Sequence, residues 1–501
     1  MINRVKNLLN CISLFSLIII VVSINSCEQD FVSNNPDIVE FPPEIKAIFD
    51  TPFTQTNLSC STPSCHGNDN SQSGGLNLVD WQKAMNGSDN GTMIVPYNGF
   101  WSHLYSVVNS DTLVGPVSLV SFSDQHKISA QNVATLKNWM DEGAKSEDGQ
   151  VAFTSIPKEE KCLITNQASD LVAVLQADYK KIIRLIPVGG SNTLDAPHYV
   201  KISPDKNFFY ISLIQEGYVE KYDINIDFPF TKSDRLQVGT SPAHIEISPD
   251  GLTGYVTNFV ASGAGTIRKF STNSPMQVTG ILEDVKLTAP HGMALTADGN
   301  VLFVASEIGE YLFRINTNSF VNSDSTVIKE PIDPSVPPNG QGTGNFKPYQ
   351  IILSQDESLL YVSCRGSNEV RIYRASDLVM VNQIFLGTNA YPLLMNLTSD
   401  GKYLFTCNRN NNTVSVINTI TQSIHTTVTN VGIQPHGVDF TPDGQYAIIA
   451  CETLSGFDGH HPTVGTNKVG VSRLIRMSDF TLTEDRLEMA SFPAGIETVN
   501  K

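Results

Sequence analysis

From about residue 160 to the end, apolar stretches of five or six residues alternate with polar turns in a fixed order. A short apolar strand runs into Ser/Thr-x-Asp-Gly, where Asp and Gly suit a tight reversal. A second strand follows, as in Gly254-Tyr-Val-Thr-Asn258, Leu360-Tyr-Val-Ser-Cys364 and Leu404-Phe-Thr-Cys-Asn408. A third is typified by Asn412-Thr-Val-Ser-Val-Ile417. Upstream the pattern is different. Leu8 to Ile24 is mostly apolar and uncharged, and residues 28–44 are polar, contain Pro and lack periodicity. Val133, Leu136 and Met140 recur at helical spacing between Ser129, a candidate N-cap, and Gly143, a helix stop.

The strand pattern repeats as a unit. Ala196-Pro-His198 through Asp205 aligns with Ser241-Pro-Ala-His244 through Asp250 and with Ala289-Pro-His291 through Asp298. Lys347-Pro-Tyr349 through Asp356, Ala390-Tyr391-Pro through Asp400 and Gln434-Pro-His436 through Asp443 continue the series. The Asp residues are 45, 48, 58, 44 and 43 apart. A period of about 40–50 residues built of short strands predicts propeller blades. Six anchors make six blades, and the two ends supply a seventh. Cys162–Asn166 and Leu171–Leu175 have the second and third strands, and Phe492–Ile496 is the innermost strand they lack. The repeat closely resembles the YVTN-type β-propeller repeat of exported and surface proteins, over residues 161–501. The resemblance implies an all-β seven-bladed propeller.

The N-terminus reads as an address. Arg4 and Lys6 precede the apolar stretch, as in an export signal. Ile24-Asn25-Ser26-Cys27 resembles the lipobox of bacterial lipoproteins. That implies a signal peptide over 1–26, lipidation at Cys27, a tether over 27–44, and a place in the cell envelope facing periplasm or exterior.

Between tether and propeller stands Cys60-Ser-Thr-Pro-Ser-Cys65-His66-Gly67. Cys-x-x-Cys-His is the signature of covalent c-type haem attachment, and here four residues separate the thiols instead of two. A small disulfide or a zinc site with too few ligands are the other readings of these residues. Downstream come Gly74-Gly-Leu-Asn-Leu78, Ile94-Val-Pro96, Ser102-His-Leu-Tyr105 and Leu136-Lys-Asn-Trp-Met-Asp-Glu-Gly-Ala144. This order resembles the small, mostly α cytochrome c-like domains fused to other modules in exported bacterial proteins. The resemblance covers residues 45–148, with a linker over 149–160. It implies one haem c, with Cys60 and Cys65 as thioethers and His66 as proximal iron ligand. It also implies a distal ligand, usually Met-Pro, where this chain has Val114-Gly-Pro116. His126 is the nearest candidate by position, and His103 the runner-up.

In a propeller the start of the innermost strand and the loop after the second strand lie on one face. His198, His244, His291 and His436, with Tyr349 and Tyr391, should therefore surround one mouth of the central channel. The loop carrying His460 and His461 should fold over the same face. Imidazoles gathered at an axis are a candidate second metal site, and the alternative is that each simply hydrogen-bonds nearby backbone.

Composition trims the functional choices. Lys and Arg number 33 against 50 Asp and Glu, a net charge of −17 with no basic run, which argues against nucleic acid and weakly favours a basic partner. Eight Cys are too few for a disulfide scaffold, and Cys162, Cys364, Cys407 and Cys451 fall in strands as free thiols. Three functions fit. The first is lipid-anchored electron transfer by one haem on a mobile domain docked on or near the propeller, which itself binds a redox partner or holds a second redox site. The second is a haem-dependent oxidoreductase whose site is the propeller mouth. The third is a haem-free cell-surface binding protein with a Cys60–Cys65 disulfide. No catalytic residue is assigned.

Overall fold

The computed structural model describes residues 39–53, 57–67, 74–89, 91–119, 126–176, 180–454, 461 and 465–499. The signal segment, Cys27 and His460 lie outside them. Residues 39–501 pack as one compact unit.

The strands form seven four-stranded antiparallel sheets, so most of the chain is a seven-bladed β-propeller. The innermost strands are Pro197–Ile202, Pro242–Ile247, Pro290–Leu295, Pro348–Leu353, Pro392–Leu397, Pro435–Phe440 and Pro493–Thr498. Each touches the next, and Pro493–Thr498 touches both Pro435–Phe440 and Pro197–Ile202, closing the ring. The closing blade joins the two ends of the propeller: Pro493–Thr498 pairs with Lys161–Asn166, followed by Leu171–Gln176 and Lys181–Pro187. Closure removes the open edges that an arc of sheets would leave.

Position within the blade explains the patterning. Second strands such as Leu359–Cys364 and Tyr446–Cys451 are buried after their first residue, because neighbouring blades cover both faces. Outer strands such as Met380–Phe385 and Ser423–Thr429 face water and are largely exposed. The core therefore lies between blades, where for example Tyr361, Ile372 and Leu404 pack together. The repeated Asp residues are turn formers. Asp250 Oδ1 accepts from Leu252 N at 2.9 Å, and Gly251 takes φ 74°, a conformation open mainly to glycine. Cys162, Cys364, Cys407 and Cys451 are buried and unbridged.

The N-terminal part is helical: α1 Pro43–Asp50, α2 Trp81–Asn86, α3 His103–Val108 and α4 Ala130–Asp141. The expected N-cap of α4 is present, with Ser129 Oγ accepting from Asn132 N. Leu136 and Met140 are buried as the spacing predicts, joined by Trp139, whereas Val133 is only half-buried. Helices α1 and α4 touch, and Phe41 bridges them with its ring centre 5.2 Å from Phe49 and 5.9 Å from Trp139.

The helical part packs against the closing blade and against the blade on either side of it. Thr92 Oγ1 accepts from Ile182 N at 2.7 Å, Tyr97 stacks on Phe228 at 4.4 Å, and Val95 is buried in a cluster with Leu487 and Met489. Residues 149–160 are also held. Ala152 and Ile156 are buried, and the Ala152 carbonyl accepts from Arg184 Nη1 at 3.1 Å. Arg184 in turn grips Asp227 at 2.7 and 2.9 Å.

Burial works against the Asp227 charge, but the Arg184 hydrogen bonds and charge outweigh it and hold the carboxyl below its usual range. Its contribution is therefore present above the unfolded value of about 3.9 and lost as pH falls through the lower folded value. Asp227→Asn is expected to be less stable than wild type at neutral pH and to converge with it below roughly pH 4. Paired urea melts across pH check this; a constant difference at every pH would contradict it.

Candidate functional site

Two constellations stand out, one in each part of the chain. In the helical part, a cavity has mostly apolar walls from Phe49, Leu78, Met93, Leu104 and Leu136. Cys60, His66 and His126 also line it. The loop that presents them is tied internally: Cys65 N donates to Thr62 O at 2.8 Å, and His66 N to Cys60 O at 2.9 Å. Gly67 closes it. A Cβ there would lie 2.1 Å from Ser61 O and 2.6 Å from Thr62 C, so the loop approaches too closely for any side chain.

Cys60 and Cys65 are free thiols, not the disulfide of the third reading. Burial, with Cys65 adding to it, pushes the Cys60 thiol up to about 11, so it is protonated at neutral pH. Burial also lowers the His66 pKa, with His126 beside it adding to the effect and the Leu76 carbonyl opposing it. The His66 and His126 rings are 6.2 Å apart between centres, tilted by 55°. His103 is not part of this wall. Its Nε2 meets Ser118 Oγ at 2.9 Å and lies 3.4 Å from Glu488 Oε2 on the propeller, because the first turn of α3 faces the blade. As runner-up distal ligand it is corrected. Met93, which sequence reasoning passed over, is on the cavity wall.

The second constellation is the propeller mouth. Each innermost strand begins with Pro, and a register shift follows directly, as between Pro197 and Tyr199, Pro290 and Met293, and Pro435 and Gly437. Such bulges re-aim a side chain, and here they accompany His198, His291, Tyr349 and His436 turning to the axis. His244 departs from the repeat alignment. It follows Pro242-Ala243, one residue later than its counterparts, so it takes the place that Tyr199 has in the previous blade, and the two rings stack at 4.1 Å.

The imidazoles converge. His198 Nε2 lies 3.0 Å from His291 Nε2, and one ring nitrogen from each of His198, His244 and His291 fits within 4.8 Å of the others. The His461 ring comes within 4.5 Å of His198, and that of His436 within 6.4 Å. Burial, then the neighbouring rings, push His198 and His291 well below the usual histidine range. Burial, then His436, brings His244 down to about 3. These rings are neutral at physiological pH, the form that binds metals.

A second ring of residues surrounds the first, and sequence reading missed it. Gln167, Phe259, Glu307, Arg365, Arg409 and Glu452 each follow directly on the end of a second strand. Arg365 pairs with Glu307, and Arg409 with Glu452, all four buried. The signal was available: the position after six of the seven second strands carries a charged, amide or aromatic side chain, Ile214 being the exception. Tyr391 stands off the axis, with its ring 5.1 Å from the Arg365 guanidinium. Below the mouth, a polar cavity holds Lys201 between Glu246 at 3.1 Å and Glu497 at 3.5 Å.

Residues 285–434 match the family described as lactonase, 7-bladed beta-propeller. The Pseudomonas aeruginosa periplasmic gluconolactonase superposes with TM-score 0.54 at 13% identity, covering 67% of this chain and 98% of that one. A functionally unknown protein from Desulfotomaculum acetoxidans gives TM-score 0.51 at 12% identity, covering 68% and 98%. The likeness is one of fold. No curated protein matches the chain by sequence. The propeller thus has known structural company, while its His ring has to be read from its own chemistry.

Proposed function

We propose that the chain is an exported, lipid-anchored c-type haem protein that transfers electrons, with the propeller docking a redox partner or holding a second redox site. One observation carries this reading: Cys60, His66 and His126 share one apolar cavity, with the two rings 6.2 Å apart. That spacing leaves room for one iron ion between the two rings, which His66 and His126 would then hold. The cavity's mostly apolar walls suit a macrocycle.

Bound there, haem supplies one-electron iron chemistry. Cys60 and Cys65 would hold it covalently, each by adding its S–H across a vinyl double bond, with a C–S bond formed and the hydrogen passed to the other vinyl carbon. The protonated state of Cys60 fits an attachment catalysed by maturation machinery rather than a spontaneous one. His66 and His126 are the residues that would hold the iron, and the apolar wall would keep water from it. A second imidazole in place of Met sets a lower potential than a His/Met pair. Cys27 anchors the chain, and the net charge of −17 favours a basic partner.

The test is a visible spectrum with a pyridine haemochrome assay on full-length protein matured with the haem-attachment machinery. One covalent haem per chain and a low-spin spectrum are expected. Cys60→Ala combined with Cys65→Ala should abolish covalent haem, and His126→Ala should turn the spectrum high-spin. No Soret band in the mature protein would overturn the haem reading, and an unchanged spin state would remove His126.

A further inference from the structure

We infer that His198, His244 and His291 hold one transition-metal ion, copper or zinc, on the propeller axis. The inference is independent of haem in the other part of the chain.

Three features carry it. First, the distances suit one ion. Two nitrogens bound at about 2.0–2.1 Å in adjacent coordination positions lie roughly 3 Å apart, and His198 Nε2 to His291 Nε2 is 3.0 Å. Second, the ligand atoms are in the right protonation state. His291 Nδ1 faces the Tyr349 carbonyl at 3.1 Å, which can only accept, so the proton is on Nδ1 and Nε2 presents a lone pair. His244 Nε2 is buried without a hydrogen-bond partner, a costly arrangement for an imidazole with nothing to bind.

Third, Gln167 can set the last tautomer. Its amide meets His198 Nδ1 at 2.8 Å, with the amide nitrogen toward the ring and its Oε1 buried and unsatisfied. In that orientation His198 carries its proton on Nε2 and donates to His291. Turning the amide over lets Oε1 accept from Nδ1–H, satisfies that oxygen, and leaves two Nε2 lone pairs facing each other. Only a cation makes that second state favourable. Metal binding therefore replaces the imidazole–imidazole hydrogen bond, and the Nε2 proton moves to Nδ1 as Gln167 turns. This is the outer hydrogen bond that metal-bound histidines generally have.

The surroundings tolerate the charge. Arg365 and Arg409 are each held by a carboxylate, and Lys201 below by two, so these named cations are outnumbered by carboxylates. Donors that are all imidazole select copper or zinc over magnesium or calcium.

The experiment uses full-length chain carrying Cys60→Ala and Cys65→Ala, which removes the thiols as competing ligands. It is stripped with chelator, exposed to Cu²⁺ or Zn²⁺ alone, desalted and measured by elemental mass spectrometry. One copper or zinc per chain is expected, falling at least ten-fold in His244→Leu and in His198→Leu. The Cu²⁺ form should show nitrogen hyperfine structure in its EPR spectrum. Gln167→Leu, which leaves every ligand in place, should weaken binding by about 10–100-fold, while Gln167→Glu should retain it. No ion retained, or retention unchanged in the His and Gln167→Leu variants, overturns the site.

Discussion

Ending the chain at Phe492 is expected to abolish the cooperative unfolding transition of the propeller. The lost segment includes the strand that closes the ring. Pro493–Thr498 pairs with Lys161–Asn166 and lies between the innermost strands of both neighbouring blades. Without it, Lys161–Asn166 becomes an open edge, and its buried backbone groups lose their partners. The closing strand also makes bonds beyond the ladder, two of them to neighbouring blades. Gly495 N donates to Thr165 Oγ1 at 2.9 Å, Thr498 N to Asp439 Oδ2 at 2.8 Å, and Glu497 Oε2 accepts from Ile202 N at 2.7 Å.

Each such bond contributes about 1 kcal/mol, and Ile496 and Val499, 7% and 2% exposed, add roughly 1.5–3 kcal/mol each. With the ladder bonds, the loss approaches the whole stability of a typical domain, about 5–15 kcal/mol. Circular dichroism during a guanidinium titration checks it, with removal of residues 500 and 501 alone as the control. A truncated protein with a near-native midpoint would mean that the ring does not depend on its closing strand.

Glu452→Gln should destabilise the fold by about 3–5 kcal/mol, the cost of breaking a buried ion pair from one side. Glu452 accepts from Arg409 Nε at 2.9 Å and Nη2 at 2.7 Å, and its Oε1 lies 2.8 Å from His436 Nδ1. Side-chain exposure is 4% for Arg409 and 0% for Glu452, so water cannot replace the lost carboxylate. Gln keeps the shape and removes only the charge, which isolates the electrostatic part. Replacing both residues together, as Arg409→Met with Glu452→Leu, should cost far less than either alone, because no charge is left stranded. Urea melts of the four members of this cycle measure the coupling. A Glu452→Gln change under about 1 kcal/mol would place the pair among surface-like bridges.

Much of this architecture is legible in the chain itself. Strand order within a blade follows from local burial: second strands are apolar because blades cover both faces, and turns carry Asp-Gly because the chain must reverse there. The missing innermost strand before Cys162, and the spare one at Phe492–Ile496, predict the closure that the structure contains. Adjacency along the chain likewise brought Cys60, Cys65 and His66 into one loop.

What the tertiary structure alone decided involves residues far apart. His198 and His291 are 93 positions apart, and their 3.0 Å contact exists only because the ring closes around an axis. His244 joins them from one residue further along its strand, a shift that a repeat alignment absorbs as an insertion. Which members of the charged ring pair, Glu307 with Arg365 and Arg409 with Glu452, is decided only when neighbouring blades pack. His126 and His103 are first and second candidates by position in the sequence, and only packing turns one toward the cavity and the other toward Glu488. Local periodicity encodes burial, which is a property of one segment at a time. A site at an axis depends on how all segments close, and that is written in contacts rather than in spacing.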